Sequence, residues 1–200
     1  MYRNFKSREI LIGKLALGGN NPVRLQSMTS VNTMDTDAII AQSIRMIEAG
    51  SELVRITAPG IREAEQLALI KQKLQEKNYG TPIIADIHYS PKAAETAARI
   101  VEKVRINPGN YTDKKRGKTH WSEKEYNDDI ARIEERLFPL IEICKSHNTA
   151  MRIGSNQGSL SERIMARYGD TAEGMVASAL EFVRICRRHD YHRIVLSMKS

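Results

Sequence analysis

Three arginines occupy similar positions in the chain, each between two apolar residues near the end of a short apolar segment. Arg55 and Arg105 follow valine and precede isoleucine, and Arg152 follows methionine and precedes isoleucine. Lys199 lies near the end of the next such segment. A guanidinium matches two phosphate oxygens at once, and an ammonium adds a point charge. The repeated cations therefore predict a site for a polyanionic ligand such as a diphosphate.

The apolar neighbours predict where these cations point. Side chains alternate between the two faces of a strand, so the flanking residues share one face and the arginine takes the other. If the apolar face meets covering helices, the arginines point into a barrel near the carboxyl ends of its strands, where such barrels hold their active sites. Buried charge requires a partner. That partner is either a bound anion, which four cations and few nearby acids favour, or a carboxylate such as Asp86 in a structural network.

Further polar residues follow the same strand ends. Asp86 is a candidate catalytic residue, as a proton carrier, a hydroxyl acceptor or an arginine partner. His88 is a second candidate, because histidine is the residue type most often used to exchange protons near neutral pH, although it is equally typical of an ordinary loop. Asn107 and Asn156 begin Gly- and Asn-rich turns, which either present backbone N–H groups to phosphate or are ordinary turns. The arginine tripeptide also occurs around Arg184, but there it falls in a helical pattern and predicts only helix surface.

The elements that must position these residues alternate between strand and helix. Alternation of this kind predicts a parallel sheet covered by helices. An open doubly wound sheet and a (β/α)₈ barrel both fit, but no Gly-x-Gly-x-x-Gly motif follows the first strand, which argues against a dinucleotide-binding sheet. We therefore predict an α/β fold of the (β/α)₈ TIM-barrel type, truncated after about six strands, as one partial domain over 1–200. The predicted strands lie at 23–27, 53–57, 82–87, 104–107, 150–154 and 193–198.

Helix signals support the same order. Ser90 before Pro91 is an N-cap followed by proline at the first helical position, and Ser122 with Glu125 is a capping box. Pro139 predicts an interruption of the long helix that this box opens. Residues 9–17 predict a hairpin that could plug the amino-terminal end of the barrel. The predicted helices run from 35 or 36 to 50 and at 61–79, 92–102, 122–147 and 171–189.

The composition fits a cytoplasmic protein that has an anionic partner. Among 200 residues, 41% are hydrophobic, no apolar run is long enough to span a bilayer, and the net charge is +7. Aromatic residues make up 6%, which ranks a nucleic-acid-binding module last among the candidate functions. Cys144 and Cys186 are the two cysteines, and two cannot supply the thiolates of an iron–sulfur cluster. We therefore expect no membrane, nucleic-acid or metal site in this chain.

Several motifs resemble, in order along the chain, those of the 4-hydroxy-3-methylbut-2-en-1-yl diphosphate synthase family. Each motif alone is weak, but together they cover nearly the whole chain. The connection at 111–136, with a basic run and Trp121, resembles the longer forms of that family. Another phosphate-binding barrel, such as a pterin-handling synthase, is the alternative enzyme. The matching segments are 18–19, 23–29, 54–57, 85–88, 104–110, 152–160 and 197–200.

The resemblance implies a barrel that holds 2-C-methyl-D-erythritol 2,4-cyclodiphosphate. In the family the enzyme opens this ring reductively, with electrons from ferredoxin or flavodoxin that reach a [4Fe-4S] cluster. Three cysteines and a glutamate of a carboxyl-terminal domain hold the cluster. We find no counterpart of that domain here, so we expect this chain to bind no cluster, to be inactive alone and to form a homo-oligomer. The implied substrate-binding residues are Arg55, Asp86, Arg105, Asn107, Arg152, Asn156 and Lys199.

Overall fold

A computed structural model describes residues 5–111 and 117–200. Within them, six parallel strands pair in the order of the sequence and form one curved sheet. The predicted parallel arrangement of the barrel type is therefore confirmed. The strands are β3 (Gln26–Met28), β4 (Leu53–Thr57), β5 (Ile83–Asp86), β6 (Lys103–Ile106), β7 (Ala150–Asn156) and β8 (Ile194–Lys199).

Helices connect successive strands and cover the outer face of the sheet. The apolar neighbours of the three arginines, such as Val54, Ile106 and Ile153, are fully buried in one cluster with helix residues. This packing leaves the arginine face of each strand turned toward the interior of the curved sheet. The helices are α1 (Thr36–Glu48), α2 (Ile61–Glu76), α3 (Pro91–Ala98), α4 (Pro108–Tyr111), α5 (Glu123–His147), α6 (Glu162–Tyr168) and α7 (Ala172–Arg188).

The predicted helix-capping residues form the expected hydrogen bonds. The Ser90 hydroxyl accepts from the Ala93 N–H at the start of α3, and Pro91 occupies the first turn. At the start of α5, the Ser122 hydroxyl and the Glu125 carboxylate each accept from the other residue's backbone N–H. These bonds satisfy amide groups that have no partner inside the helix.

A hairpin closes the amino-terminal end of the sheet, as predicted. Strands β1 (Ile10–Ile12) and β2 (Leu15–Leu17) pair in antiparallel fashion. Ile12 is buried in a second apolar cluster with Leu53, Ile84 and Ala150, which lie at the starts of their strands on the inner face. The hairpin therefore excludes water from the interior of the barrel below the arginines.

Several predicted boundaries were wrong: helix α3 ends at Ala98 rather than at residue 102, and strand β7 continues to Asn156 rather than ending at residue 154. Strand β3 begins at Gln26 rather than at residue 23, and Val23 is 91% exposed. The Glu52 carboxylate accepts from the Arg24 guanidinium and the Leu25 N–H, so this segment is held as a tethered loop. Helix α2 ends before residue 79, because Asn78 has a φ of 65° and turns the chain out of the helix.

The predicted interruption at Pro139 was also wrong. Helix α5 runs without a break from Glu123 to His147. Pro139 is exposed, so water can satisfy the carbonyl that its missing N–H leaves free. Leu137 and Leu140 are fully buried on either side, and their packing holds both turns against the sheet.

Strand register fixes two neighbouring rows on the inner face. In one row, Arg55 lies beside Ile84, which pairs with Lys103, and Lys103 pairs with Ala150. The next row places polar residues side by side across four strands, from Thr57 through Asp86 and Arg105 to Arg152. The sheet thus brings Arg55, Arg105 and Arg152 close to Asp86, as the sequence predicted, whereas Lys199 pairs with Asn156 nearer the carboxyl ends of the strands.

Candidate anion-binding site

Asp86 lies at the centre of the polar cluster. Its side chain is fully buried, and its Oδ2 accepts a hydrogen bond from Nη2 of Arg55 at 2.6 Å. Oδ1 accepts from Nη1 of Arg105 at 3.3 Å, and Nε2 of His88 lies 3.1 Å from Oδ2. Two of the predicted phosphate-binding arginines are therefore held by a carboxylate, so the structural-network alternative applies to Arg55 and Arg105.

The position of Arg105 depends on the absence of a side chain at Gly154. Nη2 of Arg105 donates to the Gly154 carbonyl at 3.3 Å, and a Cβ on Gly154 would lie 2.7 Å from Nε of Arg105. Only glycine leaves room for this approach. Burial lowers the pKa of the Arg105 guanidinium from its ordinary value, and the charge of Asp86 opposes part of that fall.

Arg152 differs from the other two arginines because, within the described residues, it forms no ion pair. Its Nε donates to the Ser197 hydroxyl at 2.9 Å. Burial lowers the pKa of Arg152, and repulsion from Arg55 and Arg105 lowers it further. Asp86 thus pairs with only two of the three guanidinium groups, which leaves an excess of positive charge on the described inner face.

One donor of this cluster also lacks a partner. The Nε of Arg55 is buried and makes no hydrogen bond to any described residue. Buried donors are almost always satisfied, and an unsatisfied one requires an explanation such as a missing ion or ligand. The cluster therefore combines excess charge with an unused donor, and both features suit an anion.

The two candidate asparagines build turns in this structure. The Asn107 side chain donates to the Ser159 hydroxyl at 2.7 Å and accepts from the Gly109 N–H at 3.3 Å. The Asn156 Oδ1 accepts from the Gly158 N–H at 3.3 Å. Lys199 pairs with Asn156 across β7 and β8 and is exposed. The asparagines therefore fix the loops at the carboxyl-terminal mouth, and Lys199 remains accessible at its edge.

Sequence reasoning missed Lys103. It lies two residues before Arg105 on β6, shares its face and is 2% exposed. Burial lowers the pKa of the Lys103 ammonium to about 7, and repulsion from Arg152 and Arg55 adds to this effect. The two-residue alternation that placed Arg105 on the inner face applies equally to Lys103, so the signal was present in the sequence.

Other basic residues lie away from this cluster. Arg184 lies on α7 and is exposed, as predicted. Residues 114–116 of the basic run lie outside the described residues. Lys118, at the end of that run, binds Glu125 at 2.5 Å and lies over the Trp121 ring, so it belongs to the start of α5.

The cysteines do not suit an iron–sulfur cluster. Cys144 and Cys186 are fully buried between helices and sheet, and burial raises the pKa of each thiol to about 12. A cluster needs thiolates. In the described part of the chain, no group of three or more His, Cys, Asp or Glu side chains could hold a metal ion. The residues present therefore do not fit a cluster.

The fold and the site define a parallel β/α barrel-type domain with an arginine-rich inner face near the carboxyl ends of its strands. The chain belongs to the GcpE family, because residues 7–200 match the GcpE TIM-barrel domain.

Relatives share substantial identity over the whole chain. The chain is 55% identical to 4-hydroxy-3-methylbut-2-en-1-yl diphosphate synthase (flavodoxin) from Parabacteroides distasonis, over 100% of this chain and 33% of the relative. It is 44% identical to the chloroplastic ferredoxin form from Arabidopsis thaliana, over 98% of this chain and 27% of that protein. The chain therefore spans about a third of the length of such relatives.

A solved structure supports the fold. Phospho-2-dehydro-3-deoxyheptonate aldolase from Thermotoga maritima superposes with a TM-score of 0.55 and 14% identity, over 96% of this chain and 45% of that one. Across residues 5–111 and 117–200, no helix has both the length and the apolar character that crossing a membrane requires.

Proposed function

We propose that this chain is the substrate-binding barrel portion of a 4-hydroxy-3-methylbut-2-en-1-yl diphosphate synthase. Its ligand would be 2-C-methyl-D-erythritol 2,4-cyclodiphosphate, bound at the carboxyl-terminal mouth. The proposal rests on family membership and on the names of relatives that match the whole chain. It includes a cytoplasmic location, a homo-oligomeric assembly and a role in isoprenoid biosynthesis.

The observation that carries this proposal is the unbalanced charge of the inner face. Among the described residues, Arg152 has a hydroxyl partner and no carboxylate partner, and the Arg55 Nε has no hydrogen-bond partner. A diphosphate supplies several oxygens that can accept from both groups. Charge-assisted hydrogen bonds in a partly desolvated site are stronger than neutral ones.

Each remaining candidate has a separate part in the proposal. Asp86 pairs with Arg55 and Arg105 until a ligand binds and offers an oxygen to a substrate hydroxyl, with His88 in position to exchange a proton with it. Asn107 and Asn156 hold the mouth loops so that their backbone N–H groups face the ligand. Lys199 supplies an exposed positive charge at the mouth.

The reduction itself requires chemistry that these residues do not supply. Within the proposal, a [4Fe-4S] cluster held by residues other than those described here would supply the two electrons of the reaction. The names of the relatives give flavodoxin or ferredoxin as the donor. This chain's residues bind and orient the substrate, and we propose that the chain alone does not turn it over.

Titration calorimetry with inorganic diphosphate tests the anion site on this chain. Arg152→Ala is the cleanest variant, because Arg152 supports no carboxylate whose loss of a partner would disturb the fold. We expect about tenfold to hundredfold weaker binding, from one lost charge-assisted hydrogen bond of about 1.5–3 kcal/mol. Arg184→Ala removes the same charge from an exposed position on α7 and should change affinity little.

The comparison of the two variants separates a built site from general basic character. Equal losses in the two variants would mean nonspecific attraction to a basic protein, which also weakens steeply with salt. A parent chain that binds neither diphosphate nor the cyclic substrate would contradict the proposed site in this portion of the enzyme.

A further inference from the structure

Lys103 is a buried amine without a counter-ion. Its residue is 2% exposed, and within the described residues its ammonium has no ion-pair partner. The completely enclosed polar atoms that lack a hydrogen bond do not include its Nζ, so the small exposure that remains reaches the nitrogen. Buried lysines are rare unless they are paired. An unpaired ammonium in a water-poor interior is strongly unfavourable, so this burial favours either a neutral amine or an anion that the described residues do not supply.

The surroundings of Lys103 contain cations in excess. It lies on the inner face of β6 between Ile84 of β5 and Ala150 of β7, above the apolar cluster that the hairpin closes. Val195 of β8 is part of the same cluster. The charged or titratable groups that the flanking strands turn toward this interior are Arg55, Asp86 with His88 beyond it, Arg105 and Arg152.

These neighbours make the protonation of Lys103 depend on what occupies the mouth. The nearest charge effects on its ammonium are repulsions, first from Arg152 and then from Arg55. Both arginines belong to the proposed anion site. A bound anion would offset their charge, and the positive form of Lys103 would become more favourable.

We propose that Lys103 couples anion binding to proton uptake: its amine is neutral while the arginine cluster is empty and takes a proton from solvent when an anion occupies that cluster. This inference rests on the proposed function and adds a linked proton to it. It also explains how four cationic side chains and one carboxylate lie on the same inner face without full repulsion in the empty site. Burial and strand register carry the inference, and the lowered pKa agrees with it.

Calorimetry in buffers of different ionisation enthalpy counts the linked protons. With diphosphate at pH 8, the slope of the observed enthalpy against the buffer ionisation enthalpy gives the protons taken up. Diphosphate also exchanges protons, so the informative quantity is the difference between the parent and a variant. We expect roughly half a proton or more per bound anion in the parent beyond that in Lys103→Met.

A second substitution guards against a purely structural effect. Lys103→Arg keeps a positive charge at every pH used, so it should lose the extra proton uptake as Lys103→Met does. The two variants should change anion affinity in opposite directions, because arginine keeps the positive charge and methionine removes it. His88→Gln removes the histidine beside Asp86 and tests whether that residue is the one that accepts the proton. Lys124→Met is the matched control at an exposed lysine on α5 and should keep the proton uptake of the parent.

The outcomes are distinguishable. Anion binding with the same proton count in the parent and both Lys103 variants would overturn the coupling while leaving the proposed site intact. Loss of the uptake in His88→Gln, but not in Lys103→Met, would assign the proton to histidine and also overturn it. No binding by the parent would reject the proposed anion site, and the coupling with it.

Discussion

Replacing Asp86 by asparagine should destabilise the protein and at the same time strengthen its binding of inorganic diphosphate. The carboxylate is fully buried and accepts from two guanidinium groups, at 2.6 and 3.3 Å. Asparagine keeps the shape but removes the charge. The two arginines then lose their internal anion, and the inner face gains a positive charge that only a ligand can offset.

The structure sets the size of both effects. Breaking a buried ion pair by removing one partner costs about 3–5 kcal/mol. The Arg55 and Arg105 side chains are 19% and 12% exposed, so residual hydration places the expected cost at the lower end, about 3 kcal/mol. The same two guanidiniums become free to bind phosphate oxygens. One additional charge-assisted bond corresponds to about tenfold tighter binding of diphosphate.

Urea unfolding with and without diphosphate measures both quantities in one experiment. A ligand at about a hundred times its Kd stabilises the folded state by about 2.7 kcal/mol, so diphosphate should restore more stability to Asp86→Asn than to the parent at equal concentration. Asp37→Asn, at a 96% exposed side chain, is the matched control and should change neither quantity measurably. Weaker diphosphate binding by Asp86→Asn would refute the reasoning, because Asp86 would then assemble the site rather than compete with the ligand.

Two further predictions concern stability. Because the pKa of Lys103 is about 7 in the folded protein and 10.5 ordinarily, the unfolded chain binds more protons between these values, so stability should rise with pH across that window. The free energy of unfolding should rise by up to roughly 5 kcal/mol across that window. Urea unfolding at several pH values should show that Lys103→Met removes this rise. A Lys103→Met pH profile equal to that of the parent would contradict the buried amine. Gly109→Ala should cost about 2 kcal/mol or more, because a Cβ there would lie 1.7 Å from the Ser159 carbonyl oxygen, whereas Gly80→Ala meets no atom within 4 Å and should unfold like the parent.

The parts of the fold that the sequence predicted well are those that local periodicity determines. Strand β4 lies at Leu53–Thr57 as predicted, and the alternation around Arg55 correctly assigns its neighbours to the helix-covered face. A capping box is equally local, because Ser122 and Glu125 satisfy each other's backbone within one turn. In these cases a few adjacent residues contain all the interactions that decide the structure.

The prediction failed where distant residues determine the local conformation. Residues 23–25 have strand-like composition, but Glu52 holds Arg24 and Leu25 by hydrogen bonds across nearly a whole β-α unit. Pro139 disrupts an isolated helix, yet buried leucines on both sides keep α5 continuous. In both cases the tertiary contacts outweigh the local conformational preference, and a single sequence does not show which of these contacts will form.

The candidate site illustrates the same limit in chemical terms. Strand alternation predicted that Arg55, Arg105 and Arg152 share the inner face, and they do. It could not assign their partners, because register and tilt decide that Asp86 reaches Arg55 and Arg105 while Arg152 meets Ser197. This difference in partners matters for function, since an arginine without a carboxylate is the one most able to bind an external anion.

Lys103 shows that the alternation rule also contains information that is easily overlooked. A residue two positions before an inward-facing arginine must face inward as well, closer to the amino-terminal end of the strand. Because the hairpin fills that end with apolar side chains, a lysine there cannot reach water as readily as one near the mouth. The amine of a lysine in that position is therefore either neutral, or protonated and stabilised by the negative charge of a ligand. The arginines near the mouth therefore predict an anion, and the lysine beneath them predicts that binding of the anion is accompanied by proton uptake from solvent.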